Sequence, residues 1–174
     1  MGGASRRFGS PKALAQLEGA SLAEHAWRTL GELSDERIAV GKAGELELPF
    51  AIVDDGSDAR APLAGVVTGL RVALHDRVVF LPVDTPFVRA DDLRKLADAG
   101  GQAAVPPTGP LPGAYARAAL PVLERRLQAG ELALRDALDE LEAQIVELDP
   151  LQLLNVNTPA DLELARRRLQ AGRG

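Results

Sequence analysis

Short apolar runs that alternate with helix-period stretches set the strongest limit on what this chain can fold into. Ile38-Ala39-Val40, Phe50-Ala51-Ile52-Val53, Val78-Val79-Phe80-Leu81, Ala103-Ala104-Val105 and Ile145-Val146 are each of strand length. Between them lie helical patterns at Ser21 to Leu33, Pro62 to Leu74 and about Asp91 to Ala99, then at Pro121 to Gln128 and Leu132 to Leu141. Strands followed repeatedly by helices require right-handed crossovers, which cover a largely parallel sheet on both faces. The expected fold class is α/β, a sandwich with a mostly parallel central sheet. With 174 residues and 46% hydrophobic content, the chain can bury one substantial core but is short for two, so residues 1–174 read as a single domain.

Two helix starts carry explicit signals. Ser21 and Glu24 have capping-box spacing ahead of an apolar stripe of Leu22, Ala26, Trp27, Leu30 and Leu33, which places Trp27 in the core. The last helix opens on Thr158 as N-cap and Pro159 at the first position, with Asp161 favoured in the first turn by the helix dipole. His25 and His75 also read as helix residues, and they lack the spacing of a zinc site.

Charge and composition remove several function classes. A net charge of -5 argues against general nucleic-acid binding, which needs a basic surface. No apolar run approaches the roughly 18 residues of a membrane span, and no export signal is visible, so no membrane role and a cytoplasmic location are expected. Cysteine is absent, which excludes disulfides, thiolate ligands and cysteine nucleophiles. No Gly-x-Ser-x-Gly elbow supports a serine hydrolase.

Basic charge is nevertheless concentrated at the start. Gly2-Gly3-Ala4-Ser5-Arg6-Arg7-Phe8-Gly9-Ser10-Pro11-Lys12 combines close backbone approach, amides and cations without one acidic residue, which suits a triphosphate. It is neither a Walker loop nor a dinucleotide fingerprint. Asp84 directly follows an apolar strand, at the carboxyl edge where open α/β sheets bind ligands, and offers the hard oxygen that magnesium prefers. A cap before Pro86 is the competing role for Asp84. Asp54 and Asp55 end a strand, where either suits a turn bonded to its own backbone. Asn155 and Asn157, two residues apart, would share one side of an extended segment, although a turn-and-cap role is open as well.

The opening segment resembles the G-G-x-S-x-R-x-G-x-P-K signature of nucleotidyltransferases, especially the molybdenum cofactor guanylyltransferases. Pro62-Leu63-Ala64-Gly65, Leu81-Pro82-Val83-Asp84-Thr85-Pro86-Phe87 and Asn155-Val156-Asn157-Thr158-Pro159-Ala160-Asp161-Leu162 follow in the right order, so the resemblance covers nearly the whole chain. It implies a Rossmann-like nucleotidyltransferase sandwich that transfers GMP from GTP to molybdenum-molybdopterin with Mg2+, releasing pyrophosphate. It also implies nucleotide contact by Gly2, Gly3, Arg7, Lys12, one of Asp54 and Asp55, Gly65 and Asp84. Lys12 and Asp84 would be catalytic, with Asp84 on the metal, and Asn155 and Asn157 would hold the pterin phosphate or complete the metal's surroundings. Transient contact with molybdenum cofactor handling proteins belongs to the same expectation. The alternatives are cytidylyl transfer, nucleotidyl transfer to another small phosphate, or a non-catalytic nucleotide-binding relative.

Three departures from the family pattern stand out. Gly41-Lys42 replaces a small polar residue near the nucleotide, and Pro112 stands where a histidine is common. In the family a buried strand runs directly into Gly-Gly, whereas here Met1 precedes Gly2. The expectation is a first strand encoded upstream of Met1, whose absence would leave neighbouring strand edges unpaired.

Overall fold

The computed structural model describes residues 11–42, 47–57 and 61–171. The segment expected to carry Gly2, Gly3 and Arg7 lies outside the described residues, as does any strand ahead of Gly2.

A 3-10 turn at Lys12–Leu14 leads into a hairpin of β1 (Gln16–Leu17) and β2 (Ala20–Ser21). Glu18 and Gly19 both take positive φ at its tip, 50° and 81°. Helix α1 (Leu22–Gly31) starts on the expected capping box. The Ser21 hydroxyl accepts from the Glu24 amide, while the Glu24 carboxylate accepts from the Ser21 amide at 2.8 Å and hydroxyl at 2.7 Å. Those bonds, the Ser21 amide first, hold the Glu24 carboxyl below the usual carboxylate range.

Strands β3 (Ala39–Gly41) and β4 (Ile52–Asp54) pair in parallel. After α2 (Pro62–Val72) comes β5 (Arg77–Phe80), then α3 (Ala90–Asp98) and β6 (Ala103–Val105). Next is β7 (Gly113–Ala116), a strand absent from the sequence expectation, followed by α4 (Leu120–Gln128), β8 (Gln144–Ile145) and α5 (Pro159–Ala171). The larger sheet has the order β5-β7-β6-β8, in which β7 is antiparallel to both neighbours and β6 pairs β8 in parallel. Strands β5, β6 and β8 therefore share one direction. Helix α2 packs on both β3 and β5, bringing the strand pair and the larger sheet against one helix.

Three expected features differ. The stretch from Leu132 to Leu141 forms a short 3-10 turn at Leu134–Ala137 rather than a helix, yet still buries Leu134, Ala137 and Leu141. Trp27 lies half-buried at the surface, stacked on Phe50 with centroids 4.1 Å apart and with the Arg37 guanidinium 4.7 Å from its ring. His75 follows α2 in a bend, exposed, 3.7 Å from Glu36.

The main core joins Leu63, Val66, Val67 and Leu70 of α2 to Val105, Tyr115 and Leu123. Tyr115 is fully buried and meets Phe80 edge-on at 5.8 Å. Its hydroxyl donates to the Pro110 carbonyl at 2.8 Å, and burial pushes its pKa up. Two arginines close helix ends from the sheet side. Arg77 donates to the Leu96, Gly100 and Gly101 carbonyls, and Arg117 to those of Leu70, Ala73 and His75.

Gly113→Ala is expected to destabilise the fold by about 1–3 kcal/mol, the usual range for overpacking. A Cβ there would sit 2.6 Å from the Pro110 carbonyl oxygen and 2.9 Å from the Tyr115 ring; urea unfolding of variant and wild type measures the difference. Glu24 provides a pH test. Because its folded pKa is depressed, its stabilisation is present above the unfolded carboxylate pKa and is lost as pH falls through the folded value. Thermal melts should show Glu24→Ala less stable than wild type at neutral pH, with the gap closing on acidification.

Candidate active site

Lys12, Asp84 and Asn157, far apart in sequence, meet at one point. The Lys12 ammonium donates to Asp84 Oδ2 at 2.7 Å and to Asn157 Oδ1 at 2.6 Å. Lys12 is only 9% exposed, which excludes the solvated lysine that a helix start would otherwise suggest. An ammonium this deep is costly unless charge and hydrogen bonds compensate it, and a carboxylate with an amide oxygen provides both.

Apolar neighbours of the three residues fix their positions. Ala15, Leu17 and Leu22 pack with Val156, Leu162 and Ala165 in a second core cluster, against which Val83, Phe87 and Leu169 also lie. These residues flank Lys12, Asp84 and Asn157 along the chain, so one apolar cluster seats all three polar groups. Burial of each of its larger side chains stabilises the arrangement by about 1.5–3 kcal/mol. The backbone adds a direct link, since the Val156 amide donates to the Asp84 carbonyl at 2.7 Å. Thr85 closes the turn after β5 by donating its hydroxyl to the Pro82 carbonyl at 2.9 Å. The Arg168 guanidinium lies 5.1 Å from the Phe87 ring, tying α5 to that loop.

Asp161 secures the other side of Asn157. Its Oδ2 accepts from the Asn157 amide at 2.9 Å and the Thr158 amide at 2.8 Å, while Thr158 Oγ1 accepts from the Asp161 amide at 3.2 Å. The Asn157 amide above all, then Thr158, holds this carboxyl below its usual range. Thr158 as N-cap and Asp161 in the first turn were expected from the sequence; their pairing as a capping box and its extension to Asn157 were not. Asn155 is exposed and is not drawn into the cluster, whereas Val156 between the asparagines is buried.

The other expected nucleotide residues sit at the ends of β4 and α2. Asp54 is exposed and accepts from the Gly56 amide at 2.7 Å. Asp55 accepts from the Ser57 amide at 3.1 Å and from the Lys42 ammonium at 2.6 Å. Each aspartate thus makes the expected turn two residues on, and Lys42 adds an ion pair that sequence spacing did not reveal. The Thr68 hydroxyl of α2 reaches the Asp55 carbonyl at 3.4 Å. Gly65, one turn earlier in α2, has no atom of another described element within 4 Å of where a Cβ would lie; at Gly69 a Cβ would strike the Phe80 ring at 2.5 Å. Helix packing therefore accounts for Gly69 and leaves Gly65 to another cause.

Among the described residues, no group of three or more His, Asp or Glu side chains converges as a metal cage. The oxygen donors at the cluster are the Asp84 carboxylate and the Asn157 amide. That pair fits a hard divalent cation, which can be held by one or two protein oxygens with substrate phosphates and water completing its shell.

Comparison with known proteins places the chain in a family. The family model described as MobA-like NTP transferase domain matches residues 1–145. The chain belongs to this family. It is 32% identical to a probable molybdenum cofactor guanylyltransferase of Bacillus licheniformis, over 93% of this chain and 91% of that one. It is 34% identical to the molybdenum cofactor guanylyltransferase of Pseudomonas putida, over 93% and 92%. Among solved structures it is similar to molybdopterin-guanine dinucleotide biosynthesis protein A of Archaeoglobus fulgidus, with a TM-score of 0.82 and 23% identity over 98% of this chain and 96% of that one. It also shares its fold with 2-C-methyl-D-erythritol 4-phosphate cytidylyltransferase of Thermus thermophilus, at a TM-score of 0.74 and 21% identity over 92% and 94%. The Rossmann-like α/β class is that of these nucleotidyltransferases. No helix among the described residues is long and apolar enough to cross a membrane.

Proposed function

We propose that this protein transfers GMP from GTP to the terminal phosphate of molybdenum-molybdopterin, giving the molybdopterin guanine dinucleotide and pyrophosphate. The observation that carries the reading is the buried Lys12 held between Asp84 and Asn157. Guanylyl transfer is favoured over cytidylyl transfer because relatives at 32% and 34% identity are named guanylyltransferases, whereas the cytidylyltransferase likeness is one of fold. A divalent metal goes with the family, and we assign Mg2+.

A pterin phosphate oxygen attacks the α-phosphorus of GTP as the bond to the α–β bridging oxygen breaks, and that oxygen leaves with pyrophosphate. The ionised phosphate is already a nucleophile, so no strong general base is required. Lys12 supplies positive charge to the phosphates, and such charge accelerates transfer to the extent that it meets the leaving oxygen more strongly as the bond breaks. Asp84, with the Asn157 amide oxygen beside it, would hold the metal, which neutralises phosphate charge when bound. We assign one of Asp54 and Asp55 and the open face of Gly65 to the nucleotide, together with Gly2, Gly3 and Arg7, and Asn155 and Asn157 to the pterin phosphate. A cytoplasmic location and transient contact with molybdenum cofactor handling proteins complete the proposal.

Incubation with Mg2+, molybdenum-molybdopterin and each radiolabelled nucleoside triphosphate should give a labelled dinucleotide from GTP alone; product from CTP alone would replace the reading with cytidylyl transfer. Asp84→Ala leaves no large cavity but leaves the Lys12 ammonium with Asn157 as its remaining partner, so it should melt lower than wild type and, where folded, lose metal-dependent transfer. Metal titration of GTP turnover checks this, and near-normal turnover by the folded variant would remove Asp84 from the metal. Gly65→Ala separates packing from binding. Alanine stabilises a helix interior by about 0.5–1 kcal/mol over glycine, so this variant should melt no lower than wild type while its KM for GTP rises.

A further inference from the structure

We infer that Asp161 is a positioning residue for transfer, acting through the backbone of Asn157 to set the distance between the Asn157 amide oxygen and Lys12; this rests on the function proposed above. A capping box needs one contact from the N3 side chain, to the N-cap amide, and here that amide belongs to Thr158. The Asp161 carboxylate goes further. The same oxygen, Oδ2, also receives the Asn157 amide at 2.9 Å. Asn157 is the residue whose side chain touches Lys12, at 2.6 Å.

The segment before α5 is thereby fixed at two consecutive residues by different partners. The Val156 amide is held by the Asp84 carbonyl at 2.7 Å and the Asn157 amide by Asp161. The Val156 side chain is itself buried, which adds a packing contact to the hold on this segment. Without Asp161, the Val156 anchor remains, but rotation about the Val156–Asn157 backbone can carry Oδ1 away from Lys12. A displacement of about 1 Å in a reacting constellation can lower turnover on the order of 100-fold, and loss of an outer partner of a metal-site residue typically costs about 10–100-fold.

Thr158 permits a clean separation from helix capping. Thr158→Ala removes the hydroxyl that caps the Asp161 amide, yet leaves the Asp161 bond to Asn157. Asp161→Asn retains an oxygen able to accept both amides without the charge. Asp161→Glu keeps the charge at the helix start and a cap for Thr158, but its extra methylene shifts the carboxylate from the Asn157 amide.

The experiment compares these variants and Asp161→Ala in the full chain by thermal melting, GTP:molybdopterin transfer kinetics and NMR hydrogen exchange at the Asn157 amide. Asp161→Ala and Asp161→Glu should lower kcat by about 10–100-fold with KM for GTP within about threefold, and should speed exchange at Asn157. Thr158→Ala should lower the melting temperature while keeping kcat within about twofold and Asn157 protected. Asp161→Asn should recover most of kcat. Equal kcat losses in Thr158→Ala and Asp161→Glu, or unchanged Asn157 exchange in Asp161→Glu, would overturn the inference. Should wild type form no guanine dinucleotide, the proposed reaction falls, and exchange alone decides whether Asp161 fixes Asn157.

Discussion

The site depends on keeping one ammonium out of water. Lys12 is 9% exposed, and a charge at that depth persists only where partners replace its hydration. Those partners lie 72 and 145 residues further along the chain. Satisfying a single cation therefore requires the chain's beginning, middle and end to be correctly placed at once. The cluster of Ala15, Leu17, Leu22, Val156, Leu162 and Ala165 supplies the favourable energy for that convergence. Hydrophobic burial is non-directional, so it can bring the segments together without fixing angles. The directional part is left to the hydrogen bonds from Val156 to Asp84 and from Asn157 to Asp161.

Periodicity revealed most of the α/β framework because both sheet faces are covered. Val78 to Leu81 and Ala103 to Val105 read as strands by being continuously apolar, and the structure has β5 at Arg77–Phe80 and β6 at Ala103–Val105. Gly113–Ala116 escaped because Gly-Ala-Tyr-Ala has one aromatic and no β-branched residue. Its strand character comes from pairing on both edges, which a local reading does not see. At Leu132 to Leu141 the apolar spacing was right and the helix was not. Leu134, Ala137 and Leu141 face the core from a 3-10 turn and its continuation, since spacings of three and four residues report a buried side rather than a particular hydrogen-bond ladder. Trp27 shows the reverse error, for a stripe residue can find its apolar contact in a surface stack on Phe50.

Within the site, Lys12, Asp84 and Asn157 were legible as members of ordered motifs, although not as one another's partners. Sequence distance hides such contacts. Asp54 and Asp55 were left as alternatives because motif spacing and the strand end select different ones, and in the fold each accepts from a backbone amide two residues ahead. They differ in exposure, for Asp55 is half-buried and paired with Lys42, a departure from the family pattern, while Asp54 is exposed at the strand end. Gly65 became interpretable only by contrast with Gly69, whose missing side chain is explained by Phe80.

Pairing Lys12 directly with Asp84 gives the site a particular energetic character. In the proposed reaction the two charges take opposite roles, one toward phosphate and one toward the metal, yet here they form a salt bridge with each other. A substitution at either position would remove the group to which that role is proposed and would also leave its partner incompletely compensated, so the two losses cannot be independent. The coupling is not a simple two-body one, because Asn157 also binds Lys12 and its backbone is held by Asp161. Asp84 is the more exposed partner, with a quarter of its side chain accessible against a tenth for Lys12. Solvent can therefore compensate a lone Asp84 more readily than a lone Lys12. The lysine is consequently the member whose state depends most on the rest of the cluster, and the hydrogen bonds that register Asn157 against it bear on the chemistry even though they lie on the far side of the residue that makes the contact.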